Sequence, residues 1–221
     1  MNKKIIIKKI RERVKKMLQG EATGHDWWHT FRVWKLAKKI GKKEGGDLFI
    51  IELASLLHDI QDWKFSKNKA VKVNLIQKWL KELRLDKNTI DHICDIIKNI
   101  SFKGAGVKNK MKTIEGKIVQ DADRLDATGA IGIARCFATG AKLNREIYNP
   151  EIKPKFHKTF REYKISKSTS INHFYEKLLL LKNLMNTKAA KKIAKERHEF
   201  MEKFLNRFFK EWEAKDFSGK F

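Results

Sequence analysis

Proline, cysteine and long apolar runs are all scarce in this sequence of 221 residues. Only two prolines interrupt it, and its abundance of Lys, Glu, Leu, Ile and Ala favours helices over strands. The two cysteines, Cys94 and Cys136, lie in apolar helical surroundings outside any Cys-x-x-Cys pattern. This pattern argues against a disulfide framework and indicates two buried thiols in a reducing compartment.

Signals for membrane insertion and export are missing as well. No apolar run approaches the ~18 residues that are needed to cross a bilayer. The apolar stretch near the start is only three residues long, Ile5 to Ile7, which is too short for a signal peptide. We therefore expect a soluble, cytoplasmic protein without a membrane partner.

Acidic residues are also few, with 26 against 50 basic residues and a formal net charge of +24. The excess is mostly lysine and is spread along the whole chain, without an Arg-rich arm or an aromatic-basic repeat. A nucleic-acid partner is therefore not favoured. So positive a field still concentrates polyanions, including nucleotides, near the surface. The charge favours an anionic substrate.

Apolar residues recur at helical spacing along most of the chain, which predicts an all-α fold. The stretch 47–60 is almost entirely apolar, and we expect it to be the central buried helix. Segment 141–167 contains Pro150 and Pro154 and is expected to be irregular, as a lid or substrate loop rather than a domain linker. No internal repeat divides the sequence. The prediction is one domain over residues 1–221. The other helices are expected at 3–19, from about 25 to 45, from Ser66 to 83, at 87–100, 113–127, 129–140, 168–185 and 187–214.

Three separate blocks carry side chains that bind metals. His25 and His29 are four residues apart, so a helix places them on one face together with Arg32. The pair His58-Asp59 ends the apolar central run. A third block contains three carboxylates, Asp121, Asp123 and Asp126, and spacing alone does not choose among them.

Two imidazoles with two carboxylates suit a six-coordinate divalent ion that keeps open positions for water and substrate. The candidate ions are Mn²⁺, Mg²⁺, Ni²⁺, Co²⁺ and Fe²⁺. The absence of thiolate ligands argues against a structural zinc.

This arrangement resembles the HD superfamily of metal-dependent phosphohydrolases. A histidine is followed by His-Asp about thirty residues later and then by an aspartate within Ala-Asp-Arg-Leu. Longer blocks are similar to a bacterial subgroup of single-domain HD hydrolases, and the likeness covers most of residues 20–205. It implies a helical bundle with the metal site at its centre. The blocks are Gly24-His-Asp-Trp-Trp-His29, Leu56-Leu-His-Asp-Ile-Gln-Asp-Trp-Lys-Phe65, Asp121-Ala-Asp-Arg-Leu-Asp-Ala-Thr-Gly-Ala-Ile-Gly-Ile-Ala-Arg135 and Asn172-His-Phe-Tyr-Glu-Lys-Leu178.

The resemblance also implies roles for individual residues. The metal ligands it implies are His29, His58, Asp59 and Asp123. Asp62, four residues after His58, matches an acidic residue that activates the nucleophilic water in some members.

Other candidates surround the implied ligands. His25 is interpreted as a hydrogen-bonding neighbour of the ligands or as the proton donor to the leaving group. Asp126 either orients a ligand or contacts the substrate sugar. Arg32 offers a planar fork to phosphate oxygens or to a ligand carboxylate. The remaining candidates for contact with the substrate are Lys64, Lys103, Arg124, His173 and Lys177.

The hypothesis that follows is a phosphohydrolase that acts on nucleotides. The expected substrate is a (deoxy)nucleoside triphosphate, cut between its α and β phosphates with release of pyrophosphate. One rival is a hydrolase of cyclic nucleotides or guanosine polyphosphates that uses the same metal. A second rival is a di-iron oxygenase. A third, of another class, is a basic nucleic-acid-binding protein with a residual HD site, whose binding would depend steeply on salt.

Overall fold

Helices are the regular secondary structure of the chain that the computed structural model describes, which is residues 2–20, 24–61, 69–102, 110–156, 162 and 168–216, with backbone alone at 61 and 69–74. No strand occurs within these ranges. The α-helices are α1 (Lys3–Leu18), α2 (Trp27–Glu44), α3 (Leu48–Leu57), α4 (Lys69–Glu82), α5 (Lys87–Asn99), α6 (Ile114–Asp126), α7 (Gly129–Lys142), α8 (Ser170–His173) and α9 (Lys188–Trp212). The all-α fold predicted from the sequence is confirmed.

Polar caps decide where several helices begin. Asp26 accepts a hydrogen bond from the backbone N–H of His29, and Thr113 accepts one from Gly116. Such caps satisfy backbone donors that have no partner within the helix. Because Asp26 is the cap, α2 starts at Trp27, and His25 lies just before the helix instead of on its first turn.

The central helix is α3, as the apolar run predicted. Its residues from Ile51 to Leu57 are all buried, and it packs against α1, α2, α5 and α6. After Leu57 the chain tightens into a 3₁₀ turn, His58–Gln61. The predicted long helix over 47–60 is therefore an α-helix with a 3₁₀ end, and this end contains the His-Asp pair.

The C-terminal part forms a second layer around α7 and α9. Helix α8 continues as a π-helical turn, Phe174–Leu178, and a 3₁₀ segment, Leu179–Leu184, in place of the single helix expected at 168–185. Phe174 is fully buried and stacks on Phe204 of α9, with ring centroids 5.8 Å apart. Aromatic packing of this kind explains the Phe-rich C-terminal sequence.

The segment after α7 is irregular where the structure describes it, up to residue 156. Its backbone carbonyls at Glu146 and Ile147 accept hydrogen bonds from the N–H groups of Ser170 and Ile171. Glu176 is buried and accepts hydrogen bonds from the N–H of Lys155 and the hydroxyl of Ser168. The described part of the segment is therefore held against α8.

No helix within the described residues combines the length and the apolar character that crossing a bilayer requires.

Candidate metal centre

Two imidazole nitrogens face each other where α2, α3 and α6 meet. Nε2 of His29, on α2, lies 3.1 Å from Nε2 of His58, which follows α3. Asp59 Oδ2 lies 3.2 Å from His29 Nε2, and Asp123 Oδ1, on α6, lies 3.5 Å from the same nitrogen. From His58 Nε2, Asp59 Oδ1 is 3.5 Å and Asp123 Oδ1 is 3.7 Å away. Four side chains from three elements thus bring their donor atoms together.

The cluster is closed on most sides. His29, His58 and Asp59 are buried, whereas 27% of the Asp123 side chain is exposed. Asp123 is therefore the most exposed of the four clustered side chains.

The remaining ring nitrogens fix the tautomers of both histidines. Nδ1 of His58 lies 2.7 Å from the backbone carbonyl oxygen of Ser55, to which it donates a hydrogen bond. Nδ1 of His29 lies 2.7 Å from Oδ2 of Asp126 and donates in the same way. With Nδ1 protonated on both rings, both Nε2 atoms face the same space, and their lone pairs would repel each other at 3.1 Å unless a proton or a metal ion compensates them. A proton on His58 serves in the metal-free protein, and with two carboxylates beside the nitrogens the donor set also fits a divalent metal ion.

The charges of the cluster favour a cation in the same place. Burial alone would raise the pKa of Asp59, but the neighbouring imidazoles hold it well below its usual range. Burial also opposes the shift at Asp123, whose pKa is lowered by its hydrogen bond to His58. Burial lowers the pKa of His58, yet the two carboxylates more than offset it and raise the value to about 9. The carboxylates therefore stay ionised and attract positive charge.

Asp126 stands behind the cluster, with only 3% of its surface exposed. It accepts a hydrogen bond from His29 Nδ1, and Arg32 donates two more, Nε to Oδ1 at 2.7 Å and Nη2 to Oδ2 at 3.0 Å. Burial opposes these bonds, but they hold the pKa of Asp126 well below its usual range. Of the two predicted roles, the structure places Asp126 where it orients His29, and it places the fork of Arg32 on this carboxylate.

Asp121, the third carboxylate of the block, faces away from the two histidines toward the start of α9. It is fully buried and accepts hydrogen bonds from the backbone N–H groups of Asn186 and Thr187, from the Asn186 amide and from the Thr187 hydroxyl. The three aspartates are thus divided: Asp123 joins the cluster, Asp126 supports a histidine, and Asp121 anchors the start of α9.

His25 adds a second face to the cluster. Its Nδ1 lies 3.0 Å from Oδ2 of Asp59, and its ring meets that of His29 edge-on with centroids 5.4 Å apart. His25, His29 and Asp59 form one group with metal-ligand spacing, and His29, His58 and Asp123 form another. The two groups share His29.

Arg135 is a residue of this site that the sequence interpretation missed. From α7 its Nε donates to the backbone carbonyl of Gly24 at 2.6 Å, and its Nη1 donates to Oδ2 of Asp126 at 3.0 Å. The stretch around it is rich in small residues, and the sequence predicted only a helix there, at 129–140. A signal was nevertheless present, since Arg135 is the only charged residue between Asp126 and Lys142. A lone charge in an apolar stretch requires a buried partner.

The other predicted contacts are distributed as follows. Arg124 is buried and donates from Nη1 to the backbone carbonyl of Leu184. His173 ends α8, and the ammonium group of Lys177 lies 5.5 Å from the centroid of the Phe102 ring. Three predicted residues, Asp62, Lys64 and Lys103, lie outside the residues that the structure describes.

Comparison with known proteins gives a consistent result. The model of the HD domain family matches residues 27–128, which contain the four clustered residues. Protein YpgQ of Bacillus subtilis (strain 168) is 39% identical over 203 residues, which is 91% of each chain.

Two solved structures extend the likeness to the fold. One is an HD-superfamily hydrolase from Bacillus thuringiensis, with a TM-score of 0.75 and 45% identity over 96% of this chain and all of that one. The other is Bacillus subtilis YpgQ in complex with ADP, with a TM-score of 0.71 and 36% identity over 95% of this chain and 98% of that one.

Proposed function

This chain belongs to the HD-superfamily hydrolases, and on that premise we propose that it hydrolyses nucleotides, specifically (deoxy)nucleoside triphosphates with release of pyrophosphate. The observation that carries the proposal is the convergence of the Nε2 atoms of His29 and His58 beside two ionised carboxylates. The cluster offers the donor set of a divalent metal site, and a metal site with an open side suits hydrolysis.

We assign the ligands to His29, His58, Asp59 and Asp123. A divalent cation held by them supplies Lewis acidity, which makes phosphorus more electrophilic and lowers the pKa of a water molecule. The Ser55 carbonyl and Asp126 hold the two imidazoles in the tautomer that offers Nε2. The greater exposure of Asp123 marks the side on which a phosphate enters.

The protein also has to move protons and to neutralise phosphate charge. His25 lies against Asp59, at the edge of the cluster, and we propose it as the proton donor to the leaving group. Asp62 follows the ligands by three residues, and we propose it as the base that orients the attacking water. The proposed phosphate contacts are Lys64 and Lys103, together with Lys177 and His173.

Two observations support a nucleotide as the substrate. YpgQ, which is similar over almost the whole chain, was crystallised in complex with ADP. The net charge of +24 also attracts polyphosphates. A nucleoside triphosphate resembles ADP in its nucleoside and phosphate parts, and it also carries a pyrophosphate leaving group.

The test is a turnover assay on metal-stripped protein. A panel of ribo- and deoxynucleoside mono-, di- and triphosphates, cyclic nucleotides and guanosine polyphosphates would be incubated with Mn²⁺, Mg²⁺, Co²⁺ or Ni²⁺, with phosphate and pyrophosphate measured separately. We expect pyrophosphate from triphosphates in the presence of metal only. Asp123→Asn should reduce the rate by at least about 100-fold.

A matched control is Asp95→Asn, which removes an exposed carboxylate on α5 whose partner is Asn99. It should leave the rate unchanged. Turnover that persists with a chelator and no added metal would contradict the metal-dependent reaction. Metal-dependent turnover of cyclic nucleotides or guanosine polyphosphates alone would replace triphosphates as the substrate.

A further inference from the structure

Arg135 contacts the neighbours of both groups with metal-ligand spacing, which are His25, His29 and Asp59 in one and His29, His58 and Asp123 in the other. Only 13% of its side chain is exposed, and it reaches from α7 to both the segment before α2 and the end of α6. We propose that Arg135 is a positioning residue that orients both His29 and His25 and thereby controls metal affinity at this centre. The inference rests on the metal site and does not depend on which nucleotide is the substrate.

The first connection runs through Asp126. Oδ2 of this carboxylate accepts from both His29 Nδ1 and Arg135 Nη1, while Arg32 holds it from α2. Arg32 and His29 are on the same helix, so their bonds to Asp126 join only α2 and α6. Arg135 approaches from a third helix, α7, and adds a hydrogen bond to the carboxylate oxygen that accepts from His29. The direction of the His29 ring therefore depends on α7.

The second connection runs through Gly24. Its carbonyl accepts from Arg135 Nε, and the next residue is His25, whose Nδ1 lies 3.0 Å from Asp59. Gly24 has φ +79, and a Cβ atom there would lie 3.0 Å from Cγ of Arg135. The arginine stem thus packs directly on a backbone that only glycine adopts readily. A single guanidinium group thus fixes the positions of both partners, Gly24 before His25 and Asp126 behind His29.

The geometry leads to a graded expectation for substitutions. Arg135→Met keeps the apolar stem and loses both hydrogen bonds, so we expect metal affinity to fall by about 10- to 100-fold, the range typical of partners that orient metal ligands. Arg135→Lys keeps a positive charge near Asp126 but lacks the fork that serves two acceptors. It should recover part of the affinity and remain below the wild type.

The experiment is a calorimetric titration that measures the affinity of metal-stripped, full-length protein for Mn²⁺ in the absence of nucleotide. Absorption of Co²⁺ in the visible range, measured on the same variants, reports ligand geometry directly. Arg207→Met is the matched control because Arg207 lies on α9, is 64% exposed and pairs with Glu211. We expect wild-type affinity and spectrum for this control.

Far-ultraviolet circular dichroism would show whether each variant is folded. If Arg135→Met does not fold, Arg135→Lys and Gly24→Ala carry the test, since the latter displaces the arginine without removing it. Folded variants that bind Mn²⁺ within about twofold of the wild type, with an unchanged Co²⁺ spectrum, would overturn the proposal.

A double-mutant cycle tests the connection through Asp126 separately. In an Asp126→Asn background, Arg135→Met should cost less affinity than it does in the wild type, because the two changes remove a shared interaction. Strictly additive losses would overturn this connection. Since nucleotides play no part in these measurements, a wrong substrate would leave the results unaffected.

Discussion

At the scale of single residues, the cluster is a device for holding positive charge. The pKa of His58 lies near 9 in the metal-free protein because Asp59 and Asp123 outweigh the effect of burial, whereas an unfolded histidine titrates near 6.5. A proton on His58 and a bound metal ion are therefore alternative ways to compensate the same two carboxylates. This exchange links metal binding to pH.

The first prediction concerns the stability of metal-free protein. Since the folded pKa of His58 is raised, its contribution is fully present below about pH 6.5 and is lost as pH rises through about 9. We expect the free energy of unfolding to fall across this window, at most by about 1.4 kcal/mol per unit of pKa shift. Urea unfolding at several pH values measures it.

Two controls accompany this measurement. His58→Asn should lack the alkaline decline. Saturating Mn²⁺ should remove it as well, because the metal takes the place of the proton. A decline of the same size in His58→Asn would assign the effect to another group.

Residue identity alone did not decide which aspartate joins the cluster. Asp121, Asp123 and Asp126 share one helix, and their roles follow from partners that are distant in the sequence. Asp121 meets Asn186, 65 residues away, while Asp126 meets His29, 97 residues away. The resemblance to known hydrolases favoured Asp123, whereas spacing left all three open because only the tertiary fold brings these partners together.

At the scale of elements, the connection between α6 and α7 aligns the site. Only Ala127 and Thr128 separate the two helices, and a Cβ on Gly132 would overlap the carbonyl group of Ala127. The close approach places Arg135, one turn further along α7, beside Asp126 at the end of α6. Any side chain at position 132 would overlap the carbonyl group of Ala127, which is the steric reason for glycine there.

The second prediction compares two glycines of α7. Gly132→Ala should destabilise the protein by about 1–3 kcal/mol or more, the cost of overpacking, because the backbone of Ala127 has no room to move. Gly140→Ala meets only the hydroxyl of Ser170, which rotates away, so its cost should be smaller. Thermal unfolding of both variants decides the order. Equal losses would show that the turn after α6 is able to relax.

The sequence predicted the elements better than their ends. The apolar run of α3 was readable because it depends on neighbours in the chain. The start of α2 after Asp26, the 3₁₀ turn with His58 and Asp59, and the π-helical turn Phe174–Leu178 were not predicted. The first of these is set locally by the Asp26 cap, whereas the other two depart from the regular α-helical period.

At the scale of the whole molecule, a strongly positive protein surrounds a locally negative site. The net charge of +24 attracts nucleotides and repels metal ions at long range, while the carboxylates of the cluster attract metal ions at short range. Salt screens the long-range part first, since the Debye length is about 10 Å at 0.1 M. As ionic strength rises, the affinity for nucleotides should therefore fall, whereas the affinity for metal ions should stay constant or rise.

The third prediction follows from this opposition. Between about 50 and 500 mM salt, the apparent affinity for a triphosphate should fall by roughly tenfold, because electrostatic enrichment of the anion is lost. The affinity for Mn²⁺ alone should stay constant or rise, because repulsion by the lysine-rich surface weakens while the buried cluster is little affected. Calorimetry at each salt concentration measures both, with an uncharged nucleoside as the control whose binding should be indifferent to salt. A triphosphate affinity that is independent of salt would mean that the +24 charge does not act on the nucleotide, and that binding depends on contacts within the pocket alone.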